Sequence, residues 1–427
     1  MPDTFVTLNA WLNYFEHRHQ EPIQLGLDRF NRVLSCFRLT FHKTLVITVG
    51  GTNGKGSTVS ALDAIYTAAG YRVGRYTSPH LFRFNERICI AQQEVSDTLL
   101  CDIFAMIHQH TESLSLTYFE ITTLAALLIF HQANVEVMLL EVGMGGRLDA
   151  TNAIDADLSI ITTVDFDHEA WLGQTREAIG FEKAGILRAG RPAIYADDSP
   201  PTSVMINARD LGVDMHYLQF YLTDDALVID FKHHVFHLPK PRIQAKAATA
   251  AVVASLLLQS KRPVQTQHLI MAMEKVEIAG RQQWIQGNIT QLYDVAHNPQ
   301  AVALLAQSVA RYRSRGVVRA VFSALKDKDL PGLIQPMAGF IHAWYPALLS
   351  GPRGASKEAL RTAFESVQIY NKKWYNAPLQ AFDAAWSDAE EDDLIVVFGS
   401  FLTVGAVLSS QLYPVEEKCG NEKTCLG

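Results

Sequence analysis

A glycine-rich stretch, Gly50-Gly51-Thr52-Asn53-Gly54-Lys55-Gly56-Ser57-Thr58, follows the apolar run Leu45–Val49 and enters a helical pattern over Ser57–Ala69 that Gly70 stops. A buried strand, a glycine turn and a helix start make an anion cradle. Backbone amides converge on phosphate oxygens, and the helix adds its positive end. In this reading Asn53, Gly54 and Gly56 shape the cradle, Lys55 reaches the outer phosphates of a nucleotide, and Ser57 or Thr58 meets magnesium. The common spacing GxxxxGK would need glycine where Val49 stands, so the loop is shortened. A plain glycine turn with an exposed lysine is the competing reading; the strand before and helix after favour phosphate.

The remaining chain supplies a sheet for such a loop. Val73–Tyr76, Val135–Val142, Leu158–Val164 and Ala193–Tyr195 read as strands separated by helices, the alternation of a parallel α/β sheet. Residues 213–240 hold three apolar runs without helices between them and read as an antiparallel flap. Ile243–Ser260 and Gln265–Lys275 read as helices. A second α/β series has strands at Thr290–Val295, Val317–Ser323, Phe340–Tyr345 and Leu394–Phe398. With 427 residues the chain exceeds one ordinary core, so two domains are expected, 1–283 and 284–427.

Composition removes several classes. A net charge of −7 gives no global case for nucleic acid. Cys36, Cys89, Cys101, Cys419 and Cys425 form no CxxC pair, against a disulfide framework or zinc site. No basic segment precedes an apolar run at the N-terminus, and no apolar stretch is long enough to span a bilayer. A cytoplasmic protein without a membrane partner is expected, with a polar tail, EEKCGNEKTCLG, that frays.

Further strings follow the predicted strands: Thr77-Ser78-Pro79-His80-Leu81, Leu139-Leu140-Glu141-Val142-Gly143 with Gly145–Asn152, Asp165-Phe166-Asp167-His168 continuing through Lys183, and Tyr293–Pro299. Open α/β sheets gather ligands at strand carboxyl ends, so Glu141 is placed either for a cation or simply facing water. Taken together with the shortened loop, these strings resemble the Mur ligase superfamily, in particular its bifunctional dihydrofolate synthase/folylpolyglutamate synthase family.

That resemblance implies an α/β fold: an N-terminal P-loop ATPase-type Mur ligase domain with a mostly parallel sheet, and a smaller C-terminal Rossmann-like domain that ligates glutamate. It makes Ser78, Glu141 and His168 magnesium ligands. It makes Lys183 a carbamylated lysine, anionic and able to support a second magnesium, which a bare ammonium would repel. Arg281 would contact ATP, Asp294 its ribose or nearby groups, and His297 would face the transferred phosphoryl group or the metal region. Lys246 stands where the family carries an asparagine that meets the nucleotide; a lysine can reach a phosphate but cannot accept a hydrogen bond.

Two segments, Leu25–Arg29 and Leu116–Glu120, resemble the dihydropteroate-binding parts of the bifunctional enzymes. Leu27, Asp28, Arg29, Thr117, Tyr118, Phe119 and Glu120, with Arg147, Leu148, Asp149 and Ala150, are the implied folate side. Aromatic rings can stack a pterin and Asp28 can accept from its amino edge. The plainer reading of Thr117-x-x-Glu120 is a capping box. On the glutamate side stand Ser323, Lys326, Asp327, Arg353 and Ser400, in strings that match the family.

The implied reaction uses ATP as substrate and two magnesium ions. The carboxylate of dihydropteroate or a tetrahydrofolate becomes an acyl phosphate, which the L-glutamate amine attacks. Lys55, Lys183 and His297 are the expected catalytic side chains, in a monomer. A monofunctional folylpolyglutamate synthase and, less well matched, a cell-wall Mur ligase are the alternatives. A P-loop ATPase or kinase and a non-catalytic binding module are the readings from other classes.

Overall fold

The computed structural model describes residues 5–19, 23–111, 115–312 and 314–412. Two compact units part between Ile278 and Ala279. A break at 283/284 would fall inside a strand, Gln283–Ile285. The tail EEKCGNEKTCLG, with Cys419 and Cys425, lies outside the described residues; Cys36, Cys89 and Cys101 are free thiols.

The first unit runs α1 (Leu8–Arg18), α2 (Asp28–Cys36), β1 (Leu45–Gly50), α3 (Lys55–Ala68), β2 (Val73–Tyr76), β3 (Ile88–Ile90), β4 (Gln93–Glu94), α4 (Asp97–His110) and α5 (Tyr118–Gln132). It continues with β5 (Val137–Glu141), β6 (Leu158–Ile161), α6 (Glu169–Leu172), α7 (Arg176–Ala184), β7 (Pro192–Tyr195), α8 (Thr202–Asp210), β8 (Asp214–Tyr217), β9 (Phe220–Leu222), β10 (Ala226–Phe231), β11 (His234–Pro239), α9 (Ala245–Leu257) and α10 (Thr266–Lys275).

Eight strands form its main sheet in the order β4-β3-β2-β5-β1-β6-β7-β8. All neighbours from β2 to β8 are parallel; β3 and β4 add an antiparallel edge. Every residue of β1 and β5 is buried, as expected when helices cover both faces of a parallel sheet. Helices α3, α9 and α10 pack on one face; α1, α4 and α5 pack on the other. Helix α5 is buried from Glu120 to Phe130, so it shows no polar stripe.

The expected flap over 213–240 is only partly antiparallel. Strands β9, β10 and β11 form that small sheet. Strand β8 instead pairs in parallel with β7, because α8 supplies the crossover that parallel pairing requires. The hairpin of β3 and β4 shows only a brief apolar run, at 88–91, before polar residues 92–94, too short to mark two strands.

The second unit holds β12 (Gln283–Ile285), β13 (Thr290–Asp294), α11 (Pro299–Tyr312), β14 (Val318–Phe322), α12 (Leu330–Ile334), β15 (Ala343–Pro346), α13 (Lys357–Ser366), α14 (Pro378–Ser387), β16 (Leu394–Phe398) and α15 (Phe401–Leu412). Its order is β12-β13-β16-β14-β15, parallel except for β12. The strand expected from Phe340 begins at Ala343, since Phe340 and Ile341 still donate to the Met337 carbonyl in a closing turn. Among the described residues no helix is long and apolar enough to cross a membrane.

Candidate active site

Strand β1 is where the chain order of the main sheet reverses, with β5 on one side and β6 on the other. Ligands bind outside the carboxyl ends of strands at such a point. The glycine loop leaves β1 there. Gly51 adopts φ 142°, and a Cβ on it would lie 1.9 Å from Thr162 Oγ1; Gly54 caps α3 in the left-handed region at φ 87°. Backbone conformation and close approach therefore both require glycine. The first turn of α3 presents the amides that a helix leaves without internal partners. Lys55 folds back over the loop, its Nζ donating to the Gly51 and Thr52 carbonyls at 2.9 and 3.1 Å. Ser57 and Thr58 are buried in that turn, with Thr58 Oγ1 donating to the Gly54 carbonyl at 3.0 Å.

Neighbouring strand ends bring the other candidates to this loop. Glu141 ends β5 level with Val49 of β1 and is buried. Its Oε2 accepts the Ser78 amide at 3.1 Å, which joins two expected metal ligands. Beyond β6, Thr52 Oγ1 donates to the Asp165 carbonyl at 3.0 Å and accepts from the Asp165 amide at 3.0 Å. His168 follows in left-handed backbone at φ 54°, an uncommon conformation for a side-chain-bearing residue. Its Nε2 lies 3.9 Å from Asp167 Oδ2.

Lys183, in the last turn of α7, is buried. Burial, and then the nearby Lys55 cation, lower its amine to about 7, with Asp167 opposing. Two lysines far apart in sequence thus share one electrostatic environment. No group of three or more His, Cys, Asp or Glu that could hold a metal occurs among the described residues. The hydroxyl, carboxylate and imidazole donors at Ser78, Glu141 and His168 suit an ion that keeps waters and shares phosphate oxygens, as magnesium does.

The folate-side segments also converge. The Gly26 amide donates to the Leu148 carbonyl at 3.3 Å. Arg29 clasps Glu120 through Nε and Nη2 at 3.2 and 2.7 Å. Glu120 Oε2 further accepts from the Thr117 amide and hydroxyl at 2.7 and 2.9 Å, so Thr117 and Glu120 form a capping box. Leu27, Asp28 and Leu148 lie nearer solvent, while Ala150 is buried. Phe119 lies 6.0 Å from the Tyr76 ring. Arg147 pairs with Glu182 at 2.8 Å and sits over the Phe181 ring.

Four residues have internal roles that differ from the contacts expected of them. Buried Asp149 accepts from Met144, Thr151 and the Thr151 hydroxyl, shaping its own loop; burial raises its carboxyl. Glu120 is engaged with Arg29 and Thr117. Lys246 donates to Asp197 and Asp198 at 2.7 and 3.3 Å, so its charge is already balanced. Asp294 accepts the Gln282 and Ala296 amides at 3.1 and 2.8 Å. Burial pushes Asp294 up to about 6, against the nearby Arg281.

Within the second unit, β13, β16 and β14 are adjacent and parallel, so the strings after them emerge side by side. Arg281 stacks on Phe401 at 5.0 Å. His297 Nδ1 lies 2.9 Å from the Val295 carbonyl; a carbonyl only accepts, so Nδ1 carries a proton. Ser400 Oγ meets Thr403 Oγ1 at 2.7 Å, and Thr403 Oγ1 donates to the Ser323 carbonyl at 2.9 Å. The buried Ser323 hydroxyl has no partner among the described residues. Lys326 donates its amide to the Arg353 carbonyl at 3.0 Å, and the side chains of Lys326, Asp327 and Arg353 are exposed.

Two features were missed from sequence. One is the electrostatic influence of Lys55 on Lys183. The other is Arg87, whose Nε donates to His80 Nδ1 at 2.9 Å and whose guanidinium lies over the Phe84 and Tyr118 rings. Burial, then Arg87, lower His80 to about 4. Arg83 and Arg87 look equivalent in the string TSPHLFRFNERI, and only folding separates them.

The chain is similar to known proteins over most of its length. The Mur ligase middle domain model matches residues 49–220, and the Mur ligase glutamate ligase domain model matches 280–401. A dihydrofolate synthase/folylpolyglutamate synthase of Escherichia coli (strain K12) is 38% identical over 415 residues, covering 95% of this chain and 96% of that protein. The protein of that name from Haemophilus influenzae is 37% identical, covering 93% and 96%. The solved structure of E. coli FolC with DHPP and ADP superposes with a TM-score of 0.91 at 37% identity, covering 96% and 99%. A bifunctional folylpolyglutamate synthase/dihydrofolate synthase with Mn, AMPPNP and L-glutamate bound has a TM-score of 0.88 at 38% identity, covering 96% and 99%.

Proposed function

The chain belongs to the dihydrofolate synthase/folylpolyglutamate synthase family of the Mur ligase superfamily, and from that premise we propose that it joins L-glutamate to dihydropteroate and to tetrahydrofolates at the expense of ATP. The observation that carries this reading is the gathering of Lys55, Lys183, Ser78 and Glu141 around one glycine loop. A carboxylate does not condense with an amine unaided, because its leaving group is too poor. Its oxygen attacks the γ-phosphorus of ATP, releasing ADP and forming an acyl phosphate. The glutamate amine then attacks the acyl carbon, loses a proton and expels phosphate.

In this mechanism the loop from Asn53 to Thr58 binds the nucleotide phosphates, and Lys55 offsets charge on the transferred group. Ser78, Glu141 and His168, with Ser57, would hold a divalent ion, magnesium in this proposal. That ion would supply further neutralisation of phosphate charge. The neutral amine of Lys183 can add CO2 and lose a proton to give a carbamate, an oxygen donor suited to a second ion. Its amine, lowered to about 7, supports this, since only the unprotonated form reacts. Arg281, Asp294 and Lys246 are assigned to the nucleotide side, with Asp294 and Lys246 acting through their neighbours. His297 is assigned to the phosphoryl group. Ser323, Lys326, Asp327, Arg353 and Ser400 are assigned to glutamate.

Leu27, Asp28, Arg29, Tyr118, Phe119 and Arg147–Ala150, with the Thr117–Glu120 box behind them, are proposed to form the folate wall. A monomer acting in the cytoplasm completes the reading. The test supplies ATP, magnesium and glutamate with either dihydropteroate or tetrahydrofolate, and follows ADP release and product mass. Product with both acids is expected. Product with tetrahydrofolate alone would leave a monofunctional synthase; product with neither would overturn the folate reading.

A further inference from the structure

We propose that Arg87 receives the carboxylate of the acid substrate and holds it toward the phosphate loop, an inference that rests on the ligase reading above. Neighbouring arginines have their own carboxylates. Arg29 pairs with Glu120, Arg75 with Asp63, Arg83 with Glu94 and Asp97, and Arg147 with Glu182. Among the described residues no carboxylate pairs with Arg87. The acid beside it in sequence, Glu86, is engaged elsewhere, accepting the amides of Leu81, Phe82 and Arg83 at 2.7, 2.7 and 2.6 Å. Arg87 is held instead by a histidine and two rings. Its Nε donates to His80 Nδ1 at 2.9 Å, and its Cζ lies 5.6 Å from the Phe84 centroid and 5.7 Å from that of Tyr118. That fixes the plane of the fork and leaves its terminal nitrogens to meet an anion.

Position identifies the anion. The Arg87 carbonyl accepts the Thr77 amide at 2.9 Å, and the next residue, Ser78, donates its amide to Glu141. On its other side the guanidinium touches Tyr118, at the start of α5 in the aromatic wall. Arg87 therefore stands between the rings that would take an aromatic acid and the carboxylate beside the phosphate loop. A planar carboxylate on an aromatic body fits that place.

The test is equilibrium binding of dihydropteroate and of its carboxamide, which keeps the rings and loses the charge. Wild type is expected to prefer the acid. Arg87→Met keeps an apolar stem over both rings and should weaken acid binding on the order of 10- to 100-fold, with carboxamide binding unchanged. Arg87→Lys should recover part of the preference. Arg83→Met, a surface control, should match wild type. Equal losses for acid and amide in Arg87→Met would overturn the proposal by showing a packing role, and so would an unaltered preference. Ligation by wild type is scored separately, so acid preference without amide formation removes the ligase reading alone.

Discussion

Around the glycine loop like charges are forced together, whereas at the start of α5 opposite charges are matched. Lys183 is buried beside Lys55 and titrates far below an ordinary lysine. Glu120 is just as buried, yet it takes an arginine, a hydroxyl and an amide on its two oxygens. Burying the Lys183 amine near the Lys55 cation costs stability, which a chain selected only to fold would avoid. The contrast separates a region whose stability depends on a ligand that brings negative charge from a region that stands without one.

The largest test of this contrast removes the cation aimed at phosphate. Lys55→Met is expected to lower kcat for amide formation on the order of 100- to 1000-fold, read as ADP release coupled to product. The protein should remain folded and, with one buried repulsion gone, Lys183 should titrate higher. A variant that keeps near-normal turnover would break the comparison at its centre.

Lys183 itself offers the next test. Its folded-state amine is near 7, below the 10.5 of an ordinary lysine. The unfolded chain therefore binds this proton first as pH falls. Its penalty is absent above about pH 10.5, grows as pH drops toward about 7, and is constant below that. Lys183→Met should be inactive or nearly so, yet raise Tm, with a larger gain at about pH 6.5 than at about pH 9.5. Thermal melts at both values check the sign. In wild type at limiting bicarbonate, activity should rise with pH through about 7 as the reactive amine appears.

The matched region should respond in stability first. Glu120→Gln removes the carboxylate from Arg29 and weakens the cap of α5, at a cost of about 3 kcal/mol, measured by denaturant unfolding. Turnover per folded molecule should fall much less than in Lys55→Met. If activity instead collapses while stability holds, Glu120 belongs with the functional cluster.

These two regions also differ in how much of them could be read from sequence. The phosphate loop was legible because its parts are consecutive: glycines, Lys55 and Ser57 follow one strand and open one helix. The capping box was legible for the same reason, as Thr117 and Glu120 are three positions apart. Arg29 completing that box was not, because it arrives from α2. The neighbourhood of Lys55 and Lys183 depends on α7 packing behind β6. Arg87 was hidden because Glu86 turns its carboxylate onto backbone amides. Strand β8 was misassigned for a related reason: a short strand shows its apolar pattern but not its partner.

The smallest expected effect concerns Lys246, where a charge lies close to the loop but is already matched. Helix α9 begins beside it, for Gln244 Oε1 lies 3.9 Å from where a Gly54 Cβ would stand. Asp197, just past β7, takes the Lys246 ammonium at 2.7 Å. The pair is half-exposed, so its own contribution to stability is about 1 kcal/mol or less. Its effect on a nucleotide should be indirect and opposite for the two partners. Lys246→Asn leaves two aspartates unbalanced near the phosphates and should weaken ATP binding roughly two- to fivefold. Asp197→Asn releases the ammonium and should tighten it by a similar factor. The double variant should return close to wild type, since residues in direct contact are not additive. ATP titrations of all four proteins at low and high salt decide the matter. If Lys246→Asn alone costs far more, and Asp197→Asn does not compensate, Lys246 touches the nucleotide directly and belongs with Lys55.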